Sequence, residues 1–431
     1  MPRPSPLVRW GRDPATAWAT VAAVAVAWLA LKLVSVWAWV VVPGEYGDTY
    51  YYFLAAQDAF TSGTGVRGVL TEYPTPAGLL LLAPWALGVT DYDGYRAVIV
   101  ALTSLADAAF AALLGRRTGP VGVLGWVALT TVLGQVALLR LDMLPAVAAG
   151  AAVLYAWQGR SAAASVLVGL GTGLKLWPVV LAPLVALAAR GRRARAFAWF
   201  VGTGVLLAAG SLLAGGWDRL VSPLGYQGER GLQIESVLAT WPMRVWASGT
   251  DHRVWYSDFR AFEVEGPSVG LWVQVGGVAA ALAVLGCALL LARWLRRGSP
   301  RGALGPLALT FVGAFVITSP ALSPQYLLWL AAPAAAWCAA AWGAEPEAGR
   351  QTPEPSGARG VDGRVVSLAT LVALLVLCLL TTAVYPVFYG GLTSVNDHTS
   401  RALALLTARN LGLVGFVAWT AALARAATAR G

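Results

Sequence analysis

Apolar residues come in runs of about 20 along the whole chain, and arginine, proline, glycine and acids collect in the short breaks between them. Wound as a helix, a run of that length matches the hydrocarbon thickness of a bilayer. The pattern predicts about twelve transmembrane helices, near 16–42, 91–115, 120–139, 142–158, 161–174, 176–190, 196–214, 268–293, 303–318, 324–343, 365–384 and 401–424. The apolar stretch Ala77–Leu87 is short, with Pro74, Pro76 and Pro84 in or before it. Counting it as a span would turn every later arginine cluster outward, so it is expected to be a re-entrant or surface-lying helix on the outer face. Asp48–Phe60 alternates aromatic and polar residues at helical spacing and is expected along the interface, where tyrosine is favoured.

Two longer polar segments interrupt the pattern. Residues 215–267 carry Trp217, Trp241, Trp246 and Trp255 among charges and form the largest expected outer loop. Residues 344–363 are rich in proline, glycine and acids, the composition of a disordered inner linker. The fold class expected is therefore all-α, a polytopic transmembrane helical bundle. It divides into a membrane core over 1–343, the linker at 344–363 and a carboxy-terminal transmembrane hairpin over 364–431.

Composition sharpens this picture. The chain is 58% hydrophobic and only 12% charged, where a soluble domain carries roughly 25% charged residues. The net charge of +10 is not a nucleic-acid footprint, because its distribution is that of a membrane protein. Arg116-Arg117, Arg190–Arg195, Arg293–Arg301 and the arginines of both ends all fall in short segments on one side, as cytoplasmic loops do. Both termini are expected inside. Residues 1–14 are polar and basic, no small-residue cleavage site follows the first apolar run, and that run is longer than a signal-peptide core, so it reads as a retained first span. Cys287, Cys338 and Cys378 lie within apolar spans without metal-ligand spacing and read as small buried hydrophobes. No Ser-His-Asp order, phosphate-cradling glycine loop or dinucleotide signal is present, and no cofactor or metal is expected.

The chemistry concentrates in the outer segments. The first, Pro43 to Gly78, holds Glu45, Asp48, Tyr50–Tyr52, Glu72 and Tyr73. Acids at a membrane boundary are costly unless hydrated or used. Asp48 fits two roles, the N-cap of the following helix or a general base that takes a proton from an attacking hydroxyl. Glu45, Asp48 and Glu72 together also have the ligands for a divalent cation. Lys175, one of two lysines, sits at a Pro-hinged hairpin apex beside Trp177 and either snorkels to the interface or binds an anion. Arg140 and Asp142 either pair with each other or serve a ligand. Glu229, Arg230, Gln233 and Glu235 either pin the large loop or contact sugar hydroxyls, and Gln325 either caps a helix or hydrogen-bonds a sugar. Lys32 and Asp107 are placed to form a buried pair between spans. Tyr385-Pro386-Val-Phe-Tyr389 and Asn396-Asp397-His398 form a second outer aromatic and acidic group.

Several strings occur in a telling order: Gly-Asp48-Thr-Tyr-Tyr-Tyr, Glu72-Tyr73-Pro74, Arg140-Leu-Asp142-Met-Leu-Pro145, Lys175-Leu-Trp177-Pro178, Gln227-Gly-Glu229-Arg230-Gly-Leu-Gln233-Ile-Glu235-Ser236 and Ser323-Pro324-Gln325-Tyr326. Over roughly residues 40–335 the chain resembles glycosyltransferase family 87, bacterial membrane mannosyltransferases of the GT-C superfamily. The last two spans resemble that family in topology only. The resemblance implies a GT-C-like catalytic core in the bacterial plasma membrane with its active site on the outer face. It implies a polyprenyl-phosphate-linked sugar, most naturally mannose, as donor, and a glycolipid or polysaccharide as acceptor. By position Asp48 matches the family's catalytic aspartate. Glu72 and Tyr73 would shape the site, and Lys175 and Arg140 would offset the phosphate's charge. The rival reading is a polytopic transporter or flippase of lipid-linked sugars, for which the broken 161–190 hairpin would supply a midplane site.

Overall fold

A computed structural model describes residues 14–41, 47–118, 120–228, 230–343 and 362–429. Its first helices are α1 (Pro14–Val36), α2 (Gly47–Thr61), α3 (Thr75–Ala86), α4 (Tyr92–Thr118), α5 (Pro120–Leu133) and α6 (Gln135–Leu138). Next come α7 (Met143–Trp157), α8 (Ser161–Leu174), α9 (Ala182–Ala188), α10 (Arg193–Gly228), α11 (Thr240–Ala247) and α12 (Val269–Arg296). The remainder is α13 (Leu304–Thr318), α14 (Tyr326–Gly343), α15 (Gly363–Thr382), α16 (Gly390–Thr393) and α17 (Thr399–Ala427). The linker expected at 344–363 lies outside the described residues but for Asp362 and Gly363.

Eight of these helices are long and apolar enough to cross a membrane: α1, α4, α10, α12, α13, α14, α15 and α17. They coincide with eight of the expected spans. The other four expected spans, near 120–139, 142–158, 161–174 and 176–190, are shorter apolar helices. With 14, 15 and 14 residues, α5, α7 and α8 reach about 21–23 Å at 1.5 Å per residue, against a hydrocarbon core of roughly 30 Å. They gain their burial from protein, since α7 packs between α8 and α14 and α5 packs on α14 and α15. The stretch expected to be a short outer helix is α3, of 12 residues, with Pro76 in its first turn.

The region read as one long outer loop differs most from expectation. α10 continues through it to Gly228, with a break at Gly216 (φ 82°). That positive φ is a conformation glycine adopts without strain, so a turn is made there and helix resumes at Trp217. Beyond it, β1 (Leu232–Gln233), β2 (Arg253–Tyr256) and β3 (Phe262–Glu265) form an antiparallel sheet in the order β1-β3-β2. This small sheet is an addition to the all-α expectation.

The core is built on α14, of which 83% is buried, so helices surround it on every side. Small residues make this possible. A Cβ on Gly150 of α7 would lie 2.8 Å from the Ala332 Cβ of α14, and one on Gly122 of α5 would strike Ala339. Close backbone approach of this kind is the usual source of helix association in membranes. By contrast, α10 and α12 turn apolar side chains such as Leu206, Leu213, Val278 and Val284 outward. An apolar exterior of that extent is a lipid-facing surface.

One ion pair sits among these apolar elements. Lys32 of α1 lies 3.2 Å from Asp107 of α4 and donates to Thr130 of α5 at 2.7 Å, while Trp28 donates to Asp107 at 2.7 Å. Three helices are thus tied by one buried cluster, as the sequence predicts for Lys32 and Asp107. Removing one charge strands the other. Lys32→Ala is expected to lower stability in detergent by about 3–5 kcal/mol, whereas Lys32→Met combined with Asp107→Leu is expected to unfold close to wild type. Equal losses in the two proteins, measured by thermal and denaturant unfolding, would show that the pair is not what ties α1 to the core.

Candidate active site

Helices end early at four places, and the ends converge. Leu139–Asp142 separates α6 from α7, Lys175 and Leu176 follow α8, Ser319–Gln325 joins α13 to α14, and Ala383–Val387 follows α15. Three of the breaks have a local cause: Pro178 follows the Lys175 hinge, and Pro320, Pro324 and Pro386 lack the N–H that a helix interior requires. The fourth follows the short α6, which Gly134, at φ 51°, already separates from α5. In a membrane protein such irregular backbone is tolerated where it is covered by protein or lines a cavity. These four segments surround a cavity of about 680 Å³. Asp48, Glu72, Tyr73, Arg140, Lys175, Trp177, Arg230, Gln233, Glu235 and Gln325, all singled out in the sequence, line it.

Two cation–carboxylate pairs form its floor. Lys175 donates to both carboxylate oxygens of Asp142, at 2.8 Å each. Trp329 of α14 donates its indole N–H to the same carboxylate at 2.8 Å, and Asp142 is fully buried. Asp142 therefore stands one layer behind the cavity wall rather than on it. Arg140 pairs through Nη1 with Oδ2 of Asp48, in the first turn of α2. The sequence left open a pair between Arg140 and Asp142; each instead takes a partner from elsewhere. Trp177 stacks on Trp329 with ring centroids 4.8 Å apart, and Lys175 lies 5.1 Å from the Tyr73 ring centroid. The ammonium is held on three sides by one carboxylate and two aromatic faces.

The wall opposite is the loop between α2 and α3. Tyr51 donates to Glu72 at 2.8 Å, and the Tyr52 and Tyr73 hydroxyls meet at 2.9 Å. Burial raises the Glu72 pKa, with the Tyr51 hydrogen bond and the charges of Lys175 and Arg219 opposing the rise. What fixes this loop is Arg219, just past the Gly216 break. It donates to the carbonyls of Val66 (2.8 Å), Tyr73 (2.9 Å) and Val69 (3.3 Å) and to Ser222, whose hydroxyl reaches the Thr71 carbonyl. Sequence reading passed over Arg219, one arginine among many in an assumed loop. Its signal is the Gly-Gly pair before it, which permits the turn that brings it inward.

The third wall comes from the small sheet. β1 is joined to the 319–325 segment, since the Gln233 backbone N–H donates to Pro320 and its side chain donates to Ser323 at 3.0 Å. The β2–β3 turn carries Arg260 to within 5.6 Å of the Tyr51 ring centroid, and so reaches across to the first wall. Arg230 lies 5.9 Å from the Tyr226 ring centroid. Gln325 is buried, and its Oε1 has no hydrogen-bond partner among the described residues. Glu235, also buried, faces Arg409 of α17 at 3.6 Å. Tyr385 and Tyr389 extend the lining from the carboxy-terminal hairpin, while His398 packs against Phe388 instead. Glu229 and Glu45 lie outside the described residues, and among those described no group of three or more His, Cys, Asp or Glu is placed to hold a metal.

Burial pushes the Glu235 carboxyl up to about 7, with Arg409 and Arg140 pulling the other way. The folded protein therefore holds a proton that the unfolded chain releases near 4.5. Stability from this group is full below about 4.5 and is lost as pH rises through about 7. Melting temperatures of wild type and Glu235→Gln, measured across that range, are expected to diverge, with wild type falling more steeply. Parallel curves would mean that Glu235 does not titrate there.

No curated protein and no solved structure matches the chain. A family model, glycosyltransferase family 87, matches residues 70–324, a stretch that takes in the Glu72 loop, both cations of the cavity floor, Arg219, the sheet and the segment leading into α14. More than half of the sequence lies within that match, and the chain belongs to glycosyltransferase family 87.

Proposed function

We propose that this membrane glycosyltransferase moves a sugar, most naturally mannose, from a polyprenyl-phosphate donor to a hydroxyl of a glycolipid or polysaccharide acceptor at the outer face. The observation that carries the reading is one cavity with two kinds of lining. Arg140, Lys175 and Arg230 line it together with Asp48, Glu72 and Glu235. Val179, Leu224 and Phe315 line the same cavity while remaining exposed on the apolar exterior. A charged headgroup on a long isoprenoid chain needs both surfaces at once: cations for the phosphate and an apolar side open toward lipid for the tail.

In this reading Asp48 accepts the proton of the acceptor hydroxyl, whose oxygen bonds to the anomeric carbon from the face opposite the phosphate. The bond from that carbon to the phosphate oxygen breaks with its electron pair on the phosphate, and the anomeric centre inverts. The leaving group is already an anion, so no general acid is needed, and Arg140 and Lys175 stabilise its growing charge. Arg140 engages Oδ2 of Asp48, which orients the carboxylate and leaves Oδ1 for the hydroxyl. Lys175, fixed by its two bonds to buried Asp142, is a preorganised charge and needs little reorganisation in the transition state.

Asp48→Asn keeps the side chain's shape and removes its basicity. The variant is expected to melt like wild type and to lose about 10²–10⁴-fold in turnover, measured as transfer of labelled sugar from polyprenyl phosphate in membranes. Transfer at the wild-type rate would remove Asp48 as the base. Movement of the lipid-linked sugar across reconstituted vesicles without glycosidic bond formation would favour the transporter reading instead.

A further inference from the structure

The carboxy-terminal hairpin lies beyond the family match, which ends at 324, yet it meets the cavity lining at two places. At one, Arg409 of α17 donates to the Glu235 carbonyl at 2.7 Å, and Asn410 donates to the Ser236 carbonyl at 3.1 Å. The other is Tyr385. Pro386 disfavours the helical region for the residue before it, and Tyr385 takes φ −130°, ψ 120°, leaving the helical path of α15. The side chain is 7% exposed and packs edge-on against Tyr389, centroids 4.9 Å apart. Its hydroxyl accepts from Nη2 of Arg140 at 3.3 Å, and the guanidinium carbon lies 5.8 Å from its ring centroid. Arg140 is thus held between Asp48 on one nitrogen and Tyr385 on another.

We propose that Tyr385 is a positioning residue of the transfer site: it fixes the plane of the Arg140 guanidinium, so that one cation both orients Asp48 and receives the donor's phosphate. Arginine recognises phosphate through a planar fork whose value depends on its orientation. A long side chain in a cavity of this size has other rotamers, and the hydroxyl and ring of Tyr385 select one. The carboxy-terminal hairpin is then a working part of the site, supplying through Tyr385 what the family-matched region does not contain. This inference rests on the reading that Arg140 binds the lipid phosphate.

The test is a double-mutant cycle on the full-length protein in detergent, with farnesyl phosphate as probe and calorimetric titration as readout. Tyr385→Phe is expected to weaken binding by roughly three- to tenfold without changing the melting temperature, and Tyr385→Leu, which also removes the ring, to weaken it further. In an Arg140→Gln background Tyr385→Phe is expected to have no added effect, because its action passes through Arg140; Arg140→Lys replaces that background if the glutamine variant does not fold. Wild-type affinity in Tyr385→Phe, or a loss that adds in full to that of Arg140→Gln, would overturn the proposal, as would a wild-type protein that does not bind the probe. A protein that shows this coupling but never forms a glycosidic bond would keep Tyr385 in its role and remove the transferase reading. A protein that transfers sugar equally well with Tyr385→Phe would do the reverse.

Discussion

The Asp142 carboxylate, fully buried, takes two bonds from the Lys175 ammonium and one from the Trp329 indole. The rest of the site depends on that junction. It joins the first residue before α7, the hinge after α8 and the first turn of the central helix α14, so three elements meet at one neutralised charge. Two buried charges that were not paired would each carry a desolvation penalty of several kcal/mol, and the helix ends that carry them would have no reason to meet. Once they meet, the neighbouring breaks at 139–142 and 319–325 are brought to the same depth, and the cavity is the space their irregular backbone leaves open.

Arg219 solves the corresponding problem for the outer loop. The segment from Val66 to Tyr73 has little regular structure, and its carbonyls need donors. One guanidinium answers three of them, and so fixes Glu72 and Tyr73 against the cavity without a strand or helix to hold them. A lysine could not do this, since a single ammonium lacks the planar fork that spreads donors over several carbonyls. The arginine-rich composition, which reads first as charge orienting the protein in the membrane, here supplies a structural clamp.

Much of this was legible in the order of the residues. Hydropathy marks every long apolar helix, the pairing of Lys32 with Asp107, and the hinge at Lys175-Leu-Trp177-Pro178. Asp48, Glu72, Arg140, Lys175, Gln233 and Gln325 were drawn together from strings far apart in sequence, and they line one cavity. What was not legible is who pairs with whom. Arg140 and Asp142 are neighbours in sequence, but the short turn before α7 points them apart, and each finds its partner on another element. Helix length was hidden only for α5, expected to reach 139 and ending at Leu133, whereas α7 and α8 keep their expected bounds to within a residue; what an apolar run does not disclose is whether lipid or protein covers it. The sheet of 232–265 escaped notice because its strands are two to four residues long, too short for alternation to register.

The charges around the cavity explain why an anionic leaving group suits it better than a neutral one. Asp142 already cancels Lys175, Asp48 cancels Arg140 in part, and Glu235 lies against Arg409. Arg230 and Arg260 add two further guanidinium groups to the lining, and burial opposes the charged forms of Glu72 and Glu235. On the proposed reading a phosphate meets these cations as donors already held in place, whereas a neutral ligand would leave guanidinium groups short of acceptors. In the proposed reaction Asp48 becomes neutral as it takes the hydroxyl's proton while the departing phosphate gains one negative charge, so a negative charge moves from Asp48 to the phosphate and Arg140, which starts on Asp48, is released to follow it.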